Sequence, residues 1–94
     1  MLIALDYDET YTVDPYFWNK VIELGKERGH LFICATMRYE SEGEEIILNL
    51  KDKVEAIIFT GRKAKMLEVN KQGYYPSVWI DDSPLFLFEG VMYG

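Results

Sequence analysis

Two aspartates, Asp6 and Asp8, stand one residue apart in the stretch LDYDET, with Thr10 two positions further on. Two more, Asp81 and Asp82, are adjacent in IDDSP. Between these two pairs along the chain lie Thr36 and Arg38 in CATMR, then Lys63 and Lys65 in TGRKAK. Carboxylates repel one another and resist burial, so acids gathered in one place need a cation. A donor set made of oxygen alone, without His or Cys, suits a hard ion such as Mg²⁺. A carboxylate free to attack can accept a phosphoryl group as an aspartyl-phosphate. A second carboxyl within reach can protonate the leaving oxygen and later activate water. Hydroxyl, backbone N–H and ammonium groups can hold the equatorial oxygens of the transferring group. These residue types are together the parts of phosphoryl transfer through a covalent aspartate.

Such chemistry requires the four stretches to meet, and the intervening sequence indicates how they do. Leu2–Leu5 is a short continuous apolar run, as in a strand covered on both faces. VDPYFWNKVIELGKERGH reads as a helix: Asp14 can cap it, Pro15 suits its first turn and Gly29 its end. Phe17, Val21 and Leu24 mark its apolar face, with Trp18 and Ile22 alongside. A second buried strand is predicted over 31–35. A second helix follows, with Ser41 and Glu44 at capping-box spacing and Ile46, Ile47, Leu48 and Leu50 as its apolar residues. The acidic run EGEE at 42–45 suits the start of that helix. A third strand is predicted over 54–59. Thr60 can cap a third helix running to Gly73, with Met66, Leu67 and Asn70 on one side. A fourth strand is predicted over 77–80, and LFLFEGVMY near the end could supply a fifth.

Strands alternating with helices predict an α/β fold: a three-layer, Rossmann-like core with a mainly parallel sheet of four to five strands. Residues 1–94 read as one domain, with no repeat, linker or low-complexity segment. Ligands in such folds bind beyond the carboxyl ends of the strands. Each of the four chemical stretches directly follows a predicted strand, so all four are expected on one edge of the sheet. Asp6 and Asp8, two residues apart, would there share a face.

Composition narrows the function classes. Nearly half of the residues are hydrophobic, which is a globular composition. The formal net charge of -6 is a poor global field for nucleic acid or an anionic membrane. Cys34 is the only cysteine, so no internal disulfide is possible and a cytoplasmic setting is expected. The N-terminus lacks the pattern of a signal peptide, and no stretch approaches membrane-spanning length.

The four stretches, in this order, resemble the haloacid dehalogenase (HAD) superfamily of phosphohydrolases. DYDET looks like its first motif, DxDx(T/V); Thr36 like its second; a lysine in TGRKAK like its third; and the Asp81–Asp82 pair like its fourth. The resemblance spans residues 3 to about 84 and implies a Mg²⁺-dependent phosphatase. It assigns Asp6 as nucleophile and Asp8 as general acid/base, with the Asp8 backbone carbonyl also offered to Mg²⁺. Asp6 would also bind the metal, Asp82 would be a direct metal ligand, and Asp81 would hydrogen-bond or bridge through water. Thr36, Thr10 and one lysine, Lys65 rather than Lys63, would bind phosphoryl oxygens. Two departures stand out: Glu9 occupies a position where the family most often has Gly, and TYTVD leaves no room for a cap domain. The site should therefore be open, covered by a large phosphorylated substrate such as a macromolecular end, or by a second copy of the chain. A small phosphorylated molecule is the other substrate class.

Other residues carry plainer readings. Asp14 is a helix cap, Arg38 a solvated surface charge, His30 a surface turn residue and Cys34 a small buried hydrophobe. Phe17 and Trp18 are expected in the core. Tyr7 should point to the side opposite the aspartates, with a partner for its hydroxyl if buried. Two further functional classes remain open. One is a phospho-accepting domain of the receiver type, although strand three ends in Thr60 where such domains carry the accepting Asp. The other is a non-catalytic phosphate-binding module on the same scaffold.

Overall fold

The structure, a computed structural model, describes residues 1–91. Four strands, β1 (Leu2–Leu5), β2 (Leu31–Thr36), β3 (Ile57–Phe59) and β4 (Val78–Ile80), form one parallel sheet in the order β3-β2-β1-β4. Three helices connect them: α1 (Pro15–Glu27), α2 (Glu44–Leu50) and α3 (Lys65–Lys71). No cap domain occurs among the described residues, and no helix is long and apolar enough to cross a membrane.

Period-two alternation sorts the strand residues between two cores. Ile3 and Leu5 of β1, with Phe32 and Cys34 of β2, face Ile22 of α1 and Ile46 and Leu50 of α2. Ala4, Ile33, Ala35 and Ile58 face the other way, against Val69 of α3. The chain thus steps β1–α1–β2–α2–β3 along one face. It then returns over the opposite face through α3 to set β4 on the free side of β1. The reversal of direction between β1 and β4 is a topological switch point, where parallel sheets open a crevice at their carboxyl ends.

The start of α1 follows the sequence: Asp14 Oδ1 accepts a hydrogen bond from Phe17 N at 3.2 Å, and Pro15 is its first residue. Its buried face does not. Trp18, Val21 and Ile22 pack on the core, whereas Phe17 and Leu24 are more than half exposed. The stripe is rotated by one residue because Gly25 completes it. A Cβ there would lie 2.5 Å from the Phe32 ring, so the helix approaches β2 only because that side chain is missing. Phe17 stays outside, edge-on to Trp18 at 4.9 Å.

Further boundaries differ from expectation. Ser41 does not cap α2; it lies within a 3₁₀ turn, Glu40–Glu42, and Gly43 precedes the helix. Regular β3 is shorter than residues 54–59, although Glu55 N and Ala56 O already pair with Phe32 O and Cys34 N. Thr60 does not cap α3. Gly61 and Arg62 take positive φ values of 59° and 70°, which no right-handed helix contains, and the Thr60 hydroxyl donates to Lys63 O, closing a turn. Leu67 is exposed, and the buried side of α3 is Lys65 and Val69. The expected fifth strand is absent from the described residues. Pro84–Leu87 is a 3₁₀ turn that buries Leu87, and Val91 N bonds back to Arg62 O at 2.8 Å. Proline lacks the N–H that a ladder would need. Residues 92–93 of that stretch lie outside the described residues.

Candidate active site

The site forms at the switch point. Asp6 N donates to Ile80 O at 2.9 Å, which carries the pairing with β4 one residue past the end of β1. Alternation turns the Asp6 side chain toward the α3 face, as for Ala4, and Tyr7 toward the α1/α2 face, as for Leu5. Asp6 is buried, and Lys65 Nζ, from the first residue of α3, lies 2.7 Å from its Oδ1. The same ammonium lies 2.6 Å from Asp81 Oδ2, just beyond β4. Thr10 Oγ1 stands 3.0 Å from Asp6 Oδ2 and 3.1 Å from Asp82 Oδ1, and its single hydrogen serves one of the two carboxylates at a time. The backbone N–H of Asp82 donates to that hydroxyl, and Ser83 N donates to Asp81 Oδ1.

These surroundings set the charges. Burial pushes the Asp6 carboxyl up to about 6 despite the opposing pull of Lys65, and the neighbouring acids Asp81 and Asp82 add to the rise. Burial alone would lower Lys65, but Asp6 and Asp81 more than offset it and hold the ammonium above its usual range. Asp82 is held below the usual carboxylate range: hydrogen bonds from Asp6, Thr10, its own backbone and Ser83 outweigh a desolvation that acts the other way. One carboxylate oxygen from each of Asp6, Asp81 and Asp82 lies within 4.8 Å of the others. Three anionic oxygens at that spacing, with no softer donor, fit a hard divalent cation.

Of the residues expected at the site, Asp6, Thr10, Lys65, Asp81 and Asp82 are thus brought together. Lys63 is exposed, whereas Lys65 is buried among the acids. Thr36 is buried at the end of β2, where its hydroxyl accepts from Arg38 N at 3.3 Å. Asp8 is placed differently from Asp6. Pairing ends at Asp6, and Tyr7–Thr10 form a turn with Glu9 at φ 62°, so the two-residue period does not carry on to Asp8. Its carboxylate meets Arg38: Nε donates to Oδ2 at 2.9 Å and Nη2 to Oδ1 at 2.7 Å.

Arg38 is therefore not a solvated surface charge. Its Nη1 donates to Glu42 O at 2.9 Å, and its guanidinium lies over the Tyr7 ring, 5.4 Å from the centroid. Tyr7 is buried and stacks on Tyr11, and its hydroxyl donates to Glu45 Oε1 and accepts from Asn49 Nδ2. In the sequence Arg38 is visible only as a charge close behind a strand. Glu45 and Asn49 carried no signal, because the packing that sets α2 against Tyr7 is tertiary. His30 directly follows the Arg28–Gly29 turn, half-buried, with Nδ1 2.9 Å from the Met1 amino nitrogen. Burial pushes the Cys34 thiol up to about 12, in keeping with a small buried hydrophobe.

A cleft of about 300 Å³ lined by Glu9, Thr10, Val13, Trp18, Ile80, Asp81 and Asp82 opens beside the acids. No protein-family model, curated protein or solved structure matches the chain.

Proposed function

We propose that the protein is a Mg²⁺-dependent phosphomonoesterase of the haloacid dehalogenase kind, without a cap, that works through an aspartyl-phosphate on Asp6. One observation carries the reading: a buried carboxylate at the switch point has an ammonium at 2.7 Å and two further carboxylates at metal-ligand spacing. A turn-forming or helix-capping aspartate has no use for such company.

In this reading one oxygen of Asp6 attacks phosphorus, the P–O bond to the alcohol breaks, and the departing oxygen takes a proton from Asp8. Water then gives a proton to Asp8, attacks phosphorus and frees Asp6, releasing inorganic phosphate. Thr36, Thr10 and Lys65 hold phosphoryl oxygens through the transfer. Asp6 and Asp82 would hold Mg²⁺, with Asp81 and the Asp8 carbonyl beside them. The ion supplies charge neutralisation between a carboxylate nucleophile and an anionic substrate. With no lid over the site among the described residues, exclusion of water falls to a macromolecular substrate or to a second copy of the chain. The single cysteine, buried and free, accords with a cytoplasmic setting.

The test is hydrolysis of p-nitrophenyl phosphate with Mg²⁺ and with chelator, by wild type and by Asp6→Asn. Mg²⁺-dependent turnover that vanishes in Asp6→Asn, with the fold retained by circular dichroism, is the expected result. Undiminished turnover in Asp6→Asn would overturn the mechanism. A phospho-aspartate that persists for minutes would favour a receiver-like role, and phosphate binding without turnover a binding module.

A further inference from the structure

We propose that Arg38 is a positioning residue that aims the Asp8 carboxylate; the assignment rests on the phosphatase reading above. Asp6 is fixed from two sides, by Lys65 and Thr10, and is buried. Asp8 is not: its side chain is 49 % exposed, and among the described residues the hydrogen bonds to its carboxylate come from Arg38 alone. An exposed aspartate on a turn samples several rotamers unless something holds it. The Arg38 fork engages both oxygens at once, at 2.9 and 2.7 Å, which sets the plane of the carboxylate as well as its distance.

The fork itself is braced. Its third nitrogen is tied to the Glu42 carbonyl at 2.9 Å, Glu45 Oε2 lies 3.7 Å from Nη2, and the buried Tyr7 ring supports its face. Tyr7 is in turn held at its hydroxyl by Glu45 and Asn49 of α2. A chain of contacts therefore runs from α2 through Tyr7 and Arg38 to Asp8. Most surface ion pairs contribute little, because two long side chains must be ordered to make them. Here the order is already supplied by the Tyr7 ring and the Glu42 carbonyl. The bidentate geometry belongs to guanidinium and cannot be reproduced by an ammonium.

The test uses two substrates that differ in their need for a proton. p-Nitrophenolate leaves unaided, whereas the alkoxide of an alkyl phosphate must be protonated by a well-placed acid. Arg38→Met is expected to lower kcat on the alkyl phosphate about 100-fold, the low end of what general acid catalysis contributes. Loss on p-nitrophenyl phosphate should stay under about tenfold, with KM on both substrates nearly unchanged. Arg38→Lys should behave like Arg38→Met. Adding Arg38→Met to Asp8→Asn should cost nothing further, since no acid is left to aim.

A readout independent of turnover is the Arg38 Nε–H resonance, expected to be protected from exchange in the wild type and unprotected in Asp8→Asn. Equal loss on both substrates, full rescue by lysine, an additive double mutant or an unprotected Nε–H in the wild type would overturn the assignment while leaving the phosphatase reading standing. If Arg38→Met does not fold, the substrate comparison in Arg38→Lys and the resonance decide. A wild type inactive on both substrates would overturn the phosphatase reading, and this assignment with it.

Discussion

Lys65 Nζ and Asp6 Oδ1, 59 positions apart in the chain, lie 2.7 Å apart in the interior, both side chains less than a tenth exposed. The contact exists because β4 is set beside β1 rather than beyond β3: the connection that achieves this carries α3 over the face onto which Asp6 projects. Asp81, on the far side of the same ammonium at 2.6 Å, completes a buried triplet of one cation between two acids.

Removal of that cation leaves buried acids without compensation. Lys65→Met is expected to cost about 2–4 kcal/mol at pH 7, somewhat below the usual 3–5 for breaking a buried pair because Asp6 can take up a proton instead. The loss should shrink below pH 4, where Asp6 is neutral. Urea unfolding of the metal-free protein at both pH values measures it, and an equal loss at both would contradict the electrostatic account.

Asp6 itself makes stability depend on pH. Its carboxyl titrates at about 6 in the folded chain against 3.8 ordinarily, so folding binds a proton. The stabilising contribution is complete below pH 4 and is lost as pH rises through about 6. A shift of that size corresponds to at most about 3 kcal/mol. Metal-free Asp6→Asn should lack this slope and gain on the wild type between pH 4 and 7; parallel stability profiles for the two would refute the assignment. Mg²⁺ should stabilise the wild type at pH 7 and do so less in Asp6→Asn.

Glu9 holds φ at 62°, a left-handed conformation that costs a side-chain-bearing residue about 1–2 kcal/mol. Glu9→Gly relieves it, less the extra freedom that glycine has in the unfolded chain, for a net gain of about 0.5–1 kcal/mol. Tm should rise by a few degrees. Glu9→Ala retains the Cβ and should bring no comparable rise, so an equal gain from both would rule strain out.

Gly25 tests packing against propensity. Alanine in mid-helix is worth up to about 1 kcal/mol over glycine. Its Cβ would stand 2.5 Å and 2.7 Å from two atoms of the Phe32 ring, which is buried in the core. Overpacking costs about 1–3 kcal/mol, so the clash wins. Gly25→Ala should lower Tm by several degrees; an unchanged or higher Tm would show that α1 can move off the sheet.

The four motif stretches were legible because each directly follows an apolar run, and the end of a buried strand is a place that sequence marks well. Caps were less so. Asp14 works as read, since its partner Phe17 N is local. Ser41 and Thr60 have the same residue chemistry but do not cap, because the segments after them are bent: Glu42 pairs with Arg62, and Gly61 and Arg62 take positive φ with their N–H groups bonded to Arg38 O and Met37 O. Arg38 was read as solvated because a lone arginine after a strand carries no sign of its partner. That partner, Asp8, comes from a turn 30 positions earlier.

By itself the sequence determined the alternation of strands and helices, the parallel α/β class and the set of residues at the strand ends. Those follow from periodicity and from local turn chemistry. Only the tertiary structure decided which acids lie together and which acid is set apart. Asp6, Asp81 and Asp82 meet because β1 and β4 are neighbours in the sheet, and Asp8 leaves them because β1 ends before it and a guanidinium from β2's exit holds it. Sheet order and the site of a turn are long-range outcomes, set by how the two cores close, and no spacing within the four motifs encodes them.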